Sequence, residues 1–305
     1  MSVRLLRALR KEPDWATMTD DELSAFQQVE NRRRSAPSTR LISGFPARGV
    51  TIGWEQVTLP DRSVPVRVYR PAATTGELPL VVHVHGGGFV GTAVQCDWIS
   101  SHVAARLPAV VVSVEHRLVS PQVPLSAAVD DGWEVLRRTG EWGIDPERVA
   151  VFGESAGGLV AATAAIRARD AGLRLRAQVL VNPCVDLTEN AFDYPSMKEH
   201  ADSPMLTVPQ LIFFRRMAVG DQKKISPLYV DGLADLAPAL VVVPTADPVA
   251  DQGRAYAERL GAAGNAVTVT EHPGAPHAFL SMPHLVPQAR TARAEIIDFL
   301  AKRLR

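Results

Sequence analysis

The sequence predicts an α/β fold, a mostly parallel sheet of eight strands flanked by helices, with a helical insertion over one end of the sheet. Two patterns predict it. Short runs of mainly Val, Leu and Ala recur at 80–84, 109–114, 149–152, 178–181 and 239–243. A strand that is apolar on both sides belongs in a sheet covered on both faces, the setting of parallel strands. Longer segments with helical spacing lie between these runs, and strands alternating with helices build crossover units.

The elements follow in order. Residues 1 to about 45 read as helical, then irregular. The first ten alternate Arg with Val3, Leu5, Leu6 and Leu9, without the apolar region or small-residue cleavage site of a secretory signal, and read as a helix packing those leucines. Asp20 stands where it would cap a helix carrying Leu23, Phe26 and Val29. Ile52, Trp54, Val57 and Leu59 form a strand-like stretch. Pro60-Asp61-Arg62-Ser63 turns it back into Val64, Val66 and Val68, an antiparallel hairpin with a period of two. Helices are expected near 97–107, 126–139, 156–171 and 252–263. Between 186 and 224 there is no strand, only polar residues followed by Met205-Leu206 and Phe213-Phe214, hence the insertion. A last strand at 267–270 precedes an amphipathic helix at 287–304, with Ala294, Ile297, Leu300 and Leu304 near one stripe.

Composition narrows the function. The 305 residues carry 33 Lys+Arg against 33 Asp+Glu, so there is no basic excess to neutralise phosphates and nucleic acid is not an expected partner. No apolar run approaches the ~20 residues that cross a bilayer, so no stable membrane anchor is expected and the cytoplasm is the default location. Cys96 and Cys184 lack CxxC spacing and read as reduced core thiols.

Two glycine-containing motifs carry the chemistry. Gly153-Glu154-Ser155-Ala156-Gly157 fits G-x-S-x-G directly after the run at 149–152 and directly before a small-residue helix. That is the strand–turn–helix setting of a nucleophile elbow, which lifts the serine Oγ above the sheet. The turn crowds the residues two before and two after the serine, where only Gly escapes a Cβ clash. His85-Gly86-Gly87-Gly88-Phe89 follows the run at 80–84, and its glycines let the backbone approach a ligand with N–H groups aimed at it. No Lys-Ser/Thr completes a phosphate loop, and no acid stands at dinucleotide spacing.

A serine nucleophile needs a base and the base needs a carboxylate. His277 lies in the Pro/Gly loop beyond the last strand, at the carboxyl edge of the sheet, with His272 as the second candidate. Asp247 follows the run at 239–243, with Asp251 as rival, although Asp251 also suits a helix cap. His83 reads as a packed core residue and Asp130-Asp131 as structural. A metal site on His272, His277 and His284 has no acidic cluster or helical spacing behind it, so no metal is expected.

These motifs resemble the hormone-sensitive-lipase-like family of carboxylesterases, an α/β-hydrolase group, from about residue 52 to the end. The matching elements are His85-Gly86-Gly87-Gly88-Phe89, Gly153-Glu154-Ser155-Ala156-Gly157-Gly158, Asp247-Pro248 and His277-Ala278-Phe279. The chain order Ser155, Asp247, His277 is that of the family. The resemblance implies an α/β-hydrolase core at 46–185 and 226–305 beneath a cap of residues 1–45 and 186–225. It implies Ser155, Asp247 and His277 as the catalytic triad, and the amides of Gly87, Gly88 and Ala156 as the oxyanion hole. It implies hydrolysis of short- to medium-chain carboxylic esters through an acyl-enzyme, without cofactor. Phe89, Met205, Leu206, Phe213 and Phe214 are candidates for an apolar acyl pocket, or for packing of cap on core. The expected partner is a small uncharged ester, with the chain a monomer or homodimer. The same triad would serve an amidase, peptidase or acyltransferase, and relatives of this fold also bind ligands without turnover. The family's acid-Tyr-Arg-Leu-Ala-Pro-Glu stretch reads here Glu115-His116-Arg117-Leu118-Val119-Ser120-Pro121-Gln122, with Tyr replaced, one residue inserted and the last Glu replaced by Gln.

Overall fold

The computed structural model describes Val3, residues 13–72, Thr74 and residues 76–305. The leucine-bearing start of the chain, with Leu5, Leu6 and Leu9, lies outside the described residues. The apolar runs and the hairpin become strands β1 (Val50–Thr58), β2 (Ser63–Pro71), β3 (Leu78–Val84), β4 (Val110–Val114), β5 (Ile144–Glu154), β6 (Ala177–Val181), β7 (Ala239–Ala246) and β8 (Val267–Pro276). They form one sheet in the order β1-β2-β4-β3-β5-β6-β7-β8. β2 runs antiparallel to β1 and β4, and the other neighbours are parallel.

The helices are α1 (Asp20–Ser35), α2 (Arg40–Ser43), α3 (Asp97–Arg106), α4 (Leu125–Leu136), α5 (Ala156–Asp170), α6 (Pro195–Glu199), α7 (Val208–Met217), α8 (Gln222–Ile225), α9 (Ala250–Ala262) and α10 (Gln288–Leu304). Among the described residues no helix is long and apolar enough to cross a membrane.

Strand alternation divides the core. β3 sends Leu80, Val82 and Val84 to a face shared with Leu136 of α4, Leu159 of α5 and Leu260 of α9. Val81, between them, points to the other face, with Ile99 of α3 and Leu300 of α10. Each such side chain removed from water contributes roughly 1.5–3 kcal/mol, and a sheet buried on both sides becomes a stiff platform.

Three expectations shift by a residue or more. Thr19, not Asp20, caps α1: its hydroxyl accepts from the Glu22 amide, and the Glu22 carboxylate accepts from the Thr19 amide at 2.8 Å. Asp20 is the first residue of the helix, where its charge suits the positive end of the dipole. The buried stripe of α10 runs through Ala289, Ala292, Ile296, Leu300 and Leu304, whereas Ala294 faces solvent. β8 continues through the expected Pro/Gly loop to Pro276, because β7 also continues and Ala246 pairs with Pro276 past a register shift.

The insertion between β6 and β7 is helical, as α6, α7 and α8. α7 carries buried Leu211, Phe213 and Phe214. Trp15, from the N-terminal segment, stacks obliquely on Phe89 at 5.3 Å and on Phe213 at 5.6 Å between ring centroids. Those aromatic contacts join the two segments above the loop that follows β3.

Candidate active site

Ser155 leaves β5 with φ 55° and ψ −120°, a region that L-residues avoid. Neighbouring backbone over-determines that strain. The Ser155 amide donates to the Val181 carbonyl at 3.0 Å, while its own carbonyl accepts from Gly158 at 2.8 Å and Cys184 at 3.1 Å. A Cβ at Gly153 would overlap the Gly157 carbonyl, and one at Gly157 would overlap the carbonyl oxygens of Val84 and His85. The glycine requirement read from the motif is therefore met by backbone on both sides.

Three side chains distant in sequence meet at the serine. His277 follows β8 and sets Nε2 2.7 Å from Ser155 Oγ, 122 residues away in the chain. Its Nδ1 lies 2.7 Å from Asp247 Oδ2. Asp247 is fully buried, and its other oxygen accepts from the Val249 amide at 3.0 Å. A carboxylate only accepts, so Nδ1 carries the proton and Nε2 offers its lone pair to the Ser155 hydroxyl. The rivals are placed elsewhere. His272 is buried, with Nε2 3.1 Å from Glu295 of α10. Asp251 does not cap α9; its carboxylate accepts from the Ser196 amide at 2.8 Å and pairs with Arg254, tying α6 to α9. His284 Nδ1 bonds the Leu41 carbonyl at 3.0 Å, so His272, His277 and His284 do not converge.

The loop after β3 packs on the elbow: a Cβ at Gly86 would stand 3.3 Å from Ser155 Cβ. Gly87 has φ 102° and passes too close to the Val90 carbonyl for any side chain. The Gly86 carbonyl is turned away to accept from His85 Nδ1 and Gln95 Nε2, both at 3.0 Å. The amides of Gly87, Gly88 and Ala156 have no acceptor among the described residues; Ala156, first in α5, has none within its helix.

The five pocket candidates separate. Phe89, Phe213 and Phe214 are buried together, and the Phe214 ring lies where a side chain at Gly88 would be. Leu206 packs on the same cluster, but Met205 packs on the cluster of the other sheet face.

The residues replacing the family's acid-Tyr-Arg stretch support this loop from behind. Glu115 accepts from the Ala93 amide at 2.6 Å and from Thr92 Oγ1 at 3.1 Å, and burial raises its pKa. His116 stacks on His85 with centroids 4.2 Å apart. Burial, with the neighbouring histidine as a further cause at His85, holds His85 well below the ordinary value; burial lowers His116 too. Arg117 forks onto buried Asp131 of α4, the structural role expected there. Gln122 is exposed.

Next to Ser155 in the chain, Glu154 accepts from His83: that ring bridges Glu154 Oε1 at 3.1 Å and Ser113 Oγ at 2.8 Å, and the Cys96 thiol reaches Glu154. His83, Cys96 and Glu154 bring ligand atoms within 4.8 Å of one another, a convergence the sequence spacing hides. These groups already satisfy one another, and three donors are one short of a closed zinc site. Cys184 is buried beside Asp186 and Asp247, and its thiol is pushed up to about 12, so it stays protonated at neutral pH.

A hydroxyl, an imidazole and a carboxylate in hydrogen-bonded series at the carboxyl edge of such a sheet define the α/β-hydrolase class. A family model described as alpha/beta hydrolase fold matches residues 81–281, and the chain belongs to this family, in its hormone-sensitive-lipase-like branch. It is 35% identical over 268 residues to carboxylesterase NlhH of Mycobacterium tuberculosis, covering 83% of this chain and 82% of that one. It is 30% identical over 297 residues to ethyl acetate hydrolase of Pseudomonas putida, covering 92% of each. The solved hyperthermophilic esterase of Pyrobaculum calidifontis superposes with a TM-score of 0.84 at 28% identity, over 98% of this chain and 97% of that one.

Proposed function

We propose that this protein hydrolyses carboxylic esters of short to medium acyl chains through an acyl-enzyme on Ser155. The observation that carries the proposal is the continuous hydrogen-bonded series from Ser155 through His277 to Asp247. His277 Nε2 takes the serine proton as Oγ attacks the carbonyl carbon. Asp247 holds the tautomer and stabilises the imidazolium. The amides of Gly87, Gly88 and Ala156 are the donors assigned to the oxyanion; losing one such donor typically costs ~3–4 kcal/mol of barrier. The imidazolium then protonates the leaving alkoxide, and water, deprotonated by the same ring, releases the acid. The names of the relatives support ester substrates. Phe89, Phe213 and Phe214 close the space over the loop and favour modest acyl groups; in this reading residues 1–45 and 186–225 act as the cap.

The test is a p-nitrophenyl ester series of increasing chain length with an anilide of one matching acyl group. Turnover should peak at short to medium chains and be far lower on the anilide. Ser155→Ala should abolish both turnover and labelling by an organophosphonate. Undiminished hydrolysis by that variant would overturn the assignment of the nucleophile.

A further inference from the structure

Asn182, the first residue after β6, is a buried polar side chain that the mechanism above leaves idle. It is 1% exposed and has φ 38°, a backbone region that Asn tolerates better than most residues. Its place is fixed from both sides: its amide donates to the Val242 carbonyl of β7 at 2.8 Å, and the next residue, Pro183, lies against Gly158 of the elbow helix. Its side-chain amide lies 3.5 Å from Nε2 of His277, the nitrogen that also faces Ser155 Oγ. Its Oδ1 is buried and has no hydrogen-bond partner among the described residues. A buried carbonyl oxygen without a donor is costly unless some state of the molecule supplies one.

Resting His277 cannot supply it, because Nε2 carries a lone pair. Imidazolium His277 can. We propose that Asn182 is a further catalytic residue, whose side-chain amide turns about its terminal torsion to accept the Nε2 hydrogen while His277 holds the proton taken from Ser155. The inference rests on the Ser155–His277 reading above. The proton balance is unchanged: it passes from Ser155 Oγ to Nε2, the Oγ–carbon bond forms, and the same proton later leaves on the alkoxide. Asn182 exchanges no proton; its Nδ2 stands 3.5 Å from the neutral ring, whose lone pair Ser155 engages, and it offers Oδ1 to the charged ring. The turn sacrifices only the long contact at 3.5 Å.

The strands that lead to His277 carry titratable groups at or near their carboxyl ends: Glu154 ends β5, Cys184 and Asp186 follow β6, Asp247 follows β7, and Glu271 and His272 lie on β8. Asp247 is the one bonded to the ring, on its other nitrogen.

The experiment is the pH profile of kcat and kcat/KM on a p-nitrophenyl ester for the wild type, Asn182→Gly and Asn182→Asp, each checked for folding by its melting temperature. Gly accepts the positive φ and removes the amide; Asp keeps the shape and replaces the amide with a charge. Asn182→Gly should lower kcat roughly tenfold or more with little change in KM, and move the acid limb down by about one pH unit, as expected for a lost hydrogen bond to a charged group. Asn182→Asp should move the limb up. A limb that stays put in folded Asn182→Gly, or moves up, would overturn the proposal. Ser155→Ala, run alongside, separates the two claims: dependence on Ser155 with no effect at Asn182 leaves the hydrolase reading standing and removes Asn182 from the mechanism.

Discussion

Asp247 and the His85–His116 pair show how much single side chains do here. Asp247 has no cation beside it among the described residues; its charge is held by one imidazole N–H and one amide. Asp247→Asn should leave folding near normal while kcat drops about 10³–10⁴-fold, since the ring loses its tautomer; paired kcat and melting measurements check it. His85 and His116 are both held neutral, with burial the main cause. The unfolded chain protonates them below the ordinary value of about 6.5. It then binds more protons than the folded chain, so stability is full above that range and falls as pH drops through it. His116→Tyr, which restores the family's residue, should flatten the fall in unfolding free energy between pH 7 and 5 by up to about one proton's worth, near 1.4 kcal/mol per pH unit. Urea titrations of both proteins at several pH values would show it, and parallel slopes would refute it.

At the scale of elements, the elbow is the part that sequence displays best. Its glycines are demanded by backbone atoms, so the motif and the geometry state the same constraint twice. Gly157→Ala should cost about 1–3 kcal/mol and most of the activity, because the carbonyls of Val84 and His85 have little room to retreat. Gly261 of α9 meets nothing within 4 Å, and Gly261→Ala should instead add about 0.5–1 kcal/mol. Element boundaries were less legible. β8 extends to Pro276 because β7 lies alongside it, and no local propensity at Pro273-Gly274 announces that pairing. The cap of α1 is ambiguous in sequence because Asp20 and Thr19 both suit the position, and the reciprocal bond with Glu22 selects Thr19. Asn182 carries no signal in the sequence: it belongs to no motif, and only its place after β6, beside His277, gives it meaning.

Across the whole molecule, the central strands were readable from runs of buried residues, since both-faced burial leaves a plain signature. The joining of the N-terminal segment to the insertion was not, because Trp15 and Phe213 meet through space with no periodic pattern between them. Trp15 is 6% exposed, and Trp15→Ala should destabilise by about 3–5 kcal/mol. It should also lower kcat below the melting temperature, since Phe214 then leans less firmly on Gly88; unfolding curves with kinetics at 25 °C would separate the two effects. The 122-residue gap between the serine and its histidine has one more consequence. A ribosome adds roughly 5–20 residues each second, so the strand and turn that carry Ser155 exist for on the order of ten seconds before the histidine that the proposed mechanism pairs with it has been made. On the proposed mechanism a nascent chain should therefore be silent toward esters until the histidine beyond its last strand is in place, and a truncation between Ser155 and that strand should give a protein that bears the serine but does not hydrolyse esters.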